Sequence, residues 1–184
     1  MSSLYLVALL PPEPVFSQVW GLKEEVHRLT GSRNAVRLPP HITLLPPWRA
    51  SADAETAYTA ALAAFAATEE GFLVALDGFA WFGDRTLFVH VSQAEALRAL
   101  QARLVAWCEA HALAIPAETR RYTPHLTLAT RDLPLAQVPV LRQLFAARAY
   151  TATFAAAQFT LFRHDGQLWQ ARAMFALGAT AAKA

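Results

Sequence analysis

Pro40-His41-Ile42-Thr43-Leu44 is matched 84 positions later by Pro124-His125-Leu126-Thr127-Leu128. In a strand, alternate side chains share a face, so His41 and Thr43 point one way while Ile42 and Leu44 point the other. The same alternation sets His125 and Thr127 against Leu126 and Leu128. Each segment then presents an imidazole and a hydroxyl roughly 6–7 Å apart. If the two segments meet, their histidines and threonines line one groove that can handle a phosphodiester. One neutral imidazole takes a proton from the attacking water, and the other, protonated, gives one to the departing oxygen. Histidine titrates near ~6.5 when unperturbed, so both forms are accessible near neutral pH. Each such proton transfer contributes about 10²–10⁴-fold. The threonine hydroxyls can donate to the non-bridging phosphate oxygens, where negative charge builds. A metal site fits these residues poorly. Neither segment carries a carboxylate or cysteine at ligand spacing, and two histidines alone leave zinc under-coordinated.

One His-x-Thr is a weak signal; two, each in the same place of a repeated element order, are much stronger. Residues 3–10 read as a buried strand. Val15, Val19, Leu22, Val26 and Leu29 then recur at helical spacing, and Gly31 can end that helix. The first Pro-His segment is expected to be a short strand closed by Pro46-Pro47. A helix over 51–67 and strands over 72–82 and 86–91 follow, turned at Gly83-Asp84. Ser92-Gln93-Ala94-Glu95 has the capping-box pattern at the head of the next helix. After the second Pro-His segment come a helix over 134–147, interrupted near Pro139, and strands over 150–162 and 168–177. Residues 179–184 read as a frayed tail. The order βαβαββ followed by αβαββ is an internal duplication, with a first repeat over roughly 1–91 and a second over roughly 86–178. The expected fold is a single α+β domain over 1–184. It has two pseudo-twofold-related lobes, each an antiparallel sheet with flanking helices, around a central cleft.

The composition agrees with such a domain. In 184 residues, 55% are hydrophobic and 16% charged, which excludes a disordered chain. Cys108 is the single cysteine, so there is no disulfide framework, and a reducing cytoplasm is the expected location. No basic leader or span of ~20 apolar residues is present, so no membrane is expected. Net charge is +2, yet arginine outnumbers lysine fourteen to two. That excess permits an anionic partner, because the guanidinium fork grips phosphate through two hydrogen bonds.

The twin segments His41-Ile42-Thr43-Leu44 and His125-Leu126-Thr127-Leu128 resemble the paired His-x-Thr-x signature of the two-histidine (2H) phosphoesterase superfamily. Within it, the chain is most similar to the 2′-5′ RNA ligase and RNA 2′,3′-cyclic phosphodiesterase group. The ending Gln158-Phe159-Thr160-Leu161-Phe162-Arg163-His164-Asp165-Gly166 resembles that group's last hairpin. The resemblance implies opening of a 2′,3′-cyclic phosphate at an RNA end or on a small nucleotide, leaving a 2′-phosphate, with no cofactor and no required metal. It also implies His41 as proton donor, His125 as proton acceptor, and Thr43 and Thr127 as phosphate holders. Nothing in the residues themselves separates the two histidine roles. RNA ligase members often continue the second motif as Ala-Arg. Here Thr130 stands between Ala129 and Arg131, which turns the arginine to the other strand face and leaves the substrate's identity open.

Beyond the motifs, Arg131, Arg163 and Tyr122 are the candidates for gripping a phosphate or ribose, with Arg120 and Arg121 nearby in sequence. Trp48, Tyr122, Phe82 and Trp169 are candidates for stacking on a base, and at most one is expected to do so. His27, His111 and His164 read as polar-face or turn residues, and His90 as a partly buried structural one. Two other functions compete with hydrolysis: 2′-5′ RNA ligation at the same site, and a non-catalytic RNA-end or nucleotide-binding module. The expected assembly is a monomer with no obligate protein partner.

Overall fold

In the computed structural model, which describes residues 2–116 and 121–178, Tyr5 to Leu9 are all buried. A strand covered on both faces belongs inside a sheet. It is β1 (Ser2–Leu9), which pairs with β2 (Ile42–Ser51) on one side and β7 (Gln158–His164) on the other. The other strands are β3 (Phe72–Phe82), β4 (Thr86–Val91), β5 (His125–Ala129), β6 (Thr151–Ala156) and β8 (Trp169–Ala176). They form one sheet in the order β6-β3-β4-β5-β2-β1-β7-β8, and every neighbouring pair is antiparallel. The expected α+β class holds. The two antiparallel halves meet along β2 and β5, joined by a single residue pair, Ile42 with Leu126.

The helices are α1 (Val15–Thr30), α2 (Glu55–Thr68), α3 (Glu95–Ala110) and α4 (Val138–Ala146). Their apolar stripes, such as Val15-Val19-Val26 and Leu97-Leu100-Leu104, share one core with Val7, Leu9, Ile42, Leu44, Leu126 and Leu128 of the strands. Strand alternation puts the residues between those on the other face. There the buried cluster is small: Leu6, Ala8 and Phe162, with Leu10, Leu38 and Trp169 against it. The face that carries both motifs is therefore the one without the main core.

The half β6-β3-β4-β5 comes from one contiguous segment, 72–156, whereas the half β2-β1-β7-β8 joins the first two strands to the last two. β3 and β4 are a hairpin within the contiguous half, and β7 crosses out of it to lie beside β1. Outward from the junction, the inner units are β1-α1-β2 in one half and β4-α3-β5 in the other.

Several local expectations change. The strand expected over 150–162 is two strands in opposite halves, β6 against β3 and β7 against β1, with Ala157 between them. No Gly or Pro marks the crossing, so alternation alone cannot show it. β2 does not stop at Pro46-Pro47 but runs through them to Ser51. Tyr5 pairs with Trp48 and Val7 with Leu45, so the two prolines oppose one residue in a bulge. A bulge needs no ladder donor there, which suits proline. Pro139 lies in the first turn of α4 rather than interrupting it, where its missing N–H is harmless. The capping box does not form: the N-cap of α3 is Ala94, and the Ser92 hydroxyl donates to the Ala75 carbonyl at 3.3 Å. Gly31 ends α1 as expected, at φ 74° in the left-handed region. The tail 179–184 lies outside the described residues.

Candidate active site

The single Ile42–Leu126 pair fixes how the two motifs face each other. Continuing the antiparallel register by one residue sets His41 against Thr127 and Thr43 against His125. The two histidines are then diagonal neighbours, ~7–8 Å apart at the backbone. All four residues are half-buried, while Ile42 and Leu126 are fully buried on the opposite face.

Both rings are held the same way. His41 Nδ1 donates to the carbonyl of Pro39 and His125 Nδ1 to that of Thr123, each at 2.7 Å. A carbonyl can only accept, so the Nδ1 proton is fixed and Nε2 is the titrating nitrogen. Among the described residues, no protein hydrogen bond occupies either Nε2 or either threonine hydroxyl. Two proton carriers and two donors are thus left unspent around one place.

Proton affinity is lowered at both rings, chiefly by desolvation. His41 is brought down to about 4, with the Pro39 carbonyl opposing the fall and the charges of Lys23 and His125 adding to it. His125 is lowered too, its Thr123 hydrogen bond working against the burial. In the free protein both are neutral at pH 7. The two surroundings differ. His125 lies against two aromatic rings, Phe82 at 4.9 Å and Phe88 at 5.1 Å.

β2 and β5 diverge after their single bridge, which strands ladder carbonyls on both sides. Two side chains satisfy them. The Tyr122 hydroxyl donates to Thr43 O at 2.9 Å, and Lys23 Nζ donates to Thr127 O at 2.9 Å. Beneath them, the Asp132 carboxylate accepts from Ser32 Oγ at 2.6 Å, Arg33 N at 2.8 Å and Asn34 N at 3.1 Å. Those bonds tie the loop after α1, which leads to His41, to the chain beyond β5.

Of the other expected site residues, Arg163 is misplaced. It pairs with Tyr5 in register and shares that residue's face. Its guanidinium binds Glu55 of α2 at 2.9 Å, beside Tyr5 and Arg172 on the same carboxylate. There it lines a shallow depression with Thr56 and Thr59, on the helix side of the sheet. Tyr122 spends its hydroxyl on Thr43, and burial pushes its phenol well above the usual range. It supports the motif backbone. Arg131 is exposed at the end of β5, in the left-handed region at φ 60°. No hydrogen bond or ion pair among the described residues holds it. Arg120 lies outside the described residues, and Arg121 is exposed.

Among the aromatics, Trp48 is 2% exposed, packed on Tyr5 and Tyr58 in the core. Phe82 is 41% exposed next to His125. Trp169 packs edge-on against His164 at the other end of the uncovered face. His90 is exposed rather than partly buried, and it pairs in register with His125. His27 donates to the Ser32 carbonyl, and His111 stacks on Trp107.

Lys23 was not singled out by sequence. It is 2% exposed and occupies the stripe Val15-Val19-Lys23-Val26 of α1. A charge on an apolar stripe, from one of two lysines in the chain, was the available signal.

The fold has known counterparts. TT0787 of Thermus thermophilus superposes with a TM-score of 0.69 at 22% identity, over 95% of this chain and 98% of that one. E. coli LigT complexed with 3′-AMP gives 0.65 at 19% identity, over 96% and 99%. LigT complexed with phosphate gives 0.53 at 19% identity, over 96% and 98%. No curated protein matches the sequence. Among the described residues no helix is long and apolar enough to cross a membrane. The family model of the 2′-5′ RNA ligase superfamily matches residues 11–168, a span that holds both histidine motifs and the strands that bring them together. On that match the chain belongs to the 2′-5′ RNA ligase superfamily, a family of two-histidine phosphoesterases and ligases.

Proposed function

We propose that this protein hydrolyses 2′,3′-cyclic phosphates, at RNA ends or on nucleotides, to 2′-phosphates by paired-histidine acid–base catalysis without metal. The observation that carries it is the diagonal pair His41 and His125, each with Nδ1 tied to a carbonyl and Nε2 unspent, beside two unspent threonine hydroxyls. Water attacks phosphorus as His125 Nε2 takes its proton. The P–O3′ bond breaks as His41 Nε2 gives a proton to O3′, and the phosphate stays on O2′. The donor and acceptor roles follow the family pattern.

His41 is neutral in the free protein, so it must take up a proton from solvent as the anionic substrate binds. A phosphate's negative charge in the groove offsets the desolvation and the Lys23 charge that otherwise disfavour the imidazolium. Thr43 and Thr127 donate to the non-bridging oxygens as charge builds there. Arg131, at the end of β5, is the remaining arginine for the ribose-phosphate chain, and Phe82 offers a face to a base. LigT, which shares the fold, has been crystallised with 3′-AMP and with phosphate. Cys108 is a free buried thiol, in keeping with a reducing cytoplasm.

A 5′-hydroxyl in place of water runs the same displacement towards a 2′-5′ bond, and the family's name favours that second reading. The test is incubation of 2′,3′-cyclic AMP in excess EDTA with product identification. The expected product is 2′-AMP, at the same rate with and without chelator. Loss of turnover in EDTA, or 3′-AMP as product, contradicts the proposal.

A further inference from the structure

Lys23 and Tyr122 make equivalent bonds on opposite sides of the junction, one to Thr127 O and one to Thr43 O, both at 2.9 Å. A neutral hydroxyl suffices on one side. On the other the chain places an ammonium, 2% exposed, on the apolar stripe of α1. Among the described residues no carboxylate oxygen lies within salt-bridge distance of it, and Thr127 O is its single hydrogen-bond partner. An ammonium has three donors, and a buried charge without a counter-charge is costly. Its bond to Thr127 O sets it against the backbone of a motif strand from the helix side, and its charge reaches His41.

We propose that Lys23 is the buried cation of the phosphate site, a positioning residue that fixes the Thr127 backbone and takes its counter-charge from the bound phosphate. The inference rests on the phosphodiesterase reading for its substrate, but it concerns binding of the phosphate and is measurable without turnover. Desolvation lowers Lys23 to about 8, so the free protein can shed this proton at mildly alkaline pH. The groups around it are few. Its charge reaches His41 across the motif strands. Asp132, beyond β5, is spent on Ser32, Arg33 and Asn34. On its own helix Glu25 is held by Arg148, and His27 is bonded to Ser32 O. Arg33, in the short turn after α1, is exposed.

The experiment is calorimetric titration of wild type, Lys23→Met, Lys23→Arg and Tyr122→Phe with 2′-AMP and, separately, inorganic phosphate, from pH 7 to 9.5. Loss of a charge-assisted contact weakens binding by about tenfold to a hundredfold. Lys23→Met is expected to lose that much for both ligands, and Tyr122→Phe, which removes only a neutral carbonyl bond, is expected to lose less. 2′-AMP, a phosphate monoester with a second pKa of about 6, stays close to fully charged through this window, so the pH comparison is read on that ligand. Wild-type affinity is therefore expected to fall more steeply above pH 8 than that of Lys23→Arg, whose charge persists; the histidine contribution is common to both. Equal affinity of wild type and Lys23→Met overturns the inference. If Lys23→Met does not fold, parallel pH curves for wild type and Lys23→Arg overturn it instead. Binding that depends on Lys23 in a protein that never turns over cyclic AMP leaves the inference standing and removes the phosphodiesterase reading alone.

Discussion

Replacing His41 or His125 with alanine is expected to slow 2′,3′-cyclic AMP hydrolysis by about 10²–10⁴-fold at saturating substrate. The effect is expected on kcat because in the proposed mechanism each Nε2 handles a proton in the transition state, its Nδ1 being already committed to the backbone. The double replacement is expected to cost much less than the product of the single losses. A ring that delivers a proton gains little once its counterpart no longer receives one. Folding is expected to survive, since both side chains are half-buried and the bonds they lose go to loop carbonyls. Steady-state kinetics with matched thermal melts check both statements. Independent, multiplicative losses would show that the two rings do not act in one step.

The second large effect is on the junction. Leu126→Ala is expected to destabilise the protein by about 2–5 kcal/mol, the range for truncating a fully buried leucine. For a chain of this size that is a fall in Tm of roughly 5–15 °C. Leu126 and Ile42 are the one residue pair joining the halves of the sheet, and each has a catalytic-motif residue on either side of it. A collapse at this point tilts His125 relative to His41. Activity measured well below the melting transition is therefore expected to fall too, unlike that of an equally destabilising change far from the junction. Leu104→Ala, fully buried in α3, serves as that comparison.

The four motif residues were legible because type and spacing coincide twice, and the two-residue period of a strand fixes which side chains share a face. Other positions obeyed the same rule and still misled. Arg163 follows Phe159 and Leu161 by steps of two, so alternation already put it on the helix-packed face with Tyr5. Its place beside the last hairpin turn outweighed that parity. The split of 150–162 into β6 and β7 was illegible for a different reason. Which half a strand joins depends on partners distant in sequence, and the residues at Ala157 carry no turn chemistry. Lys23 and Tyr122 were hidden because their work arises from the divergence of β2 and β5. Only when those strands part do the carbonyls of Thr43 and Thr127 need donors from elsewhere.

The proposed catalysis depends on both imidazoles reaching one phosphate. Long-range ¹H–¹⁵N spectra of the histidine rings, recorded during titration with 2′-AMP in the presence of EDTA, measure that directly. The Nε2 resonances of His41 and His125 are expected to shift together along a single binding curve, with at least one ring gaining a proton at pH 7. A shift confined to one ring, or none at either while the nucleotide binds, would contradict a shared phosphate site.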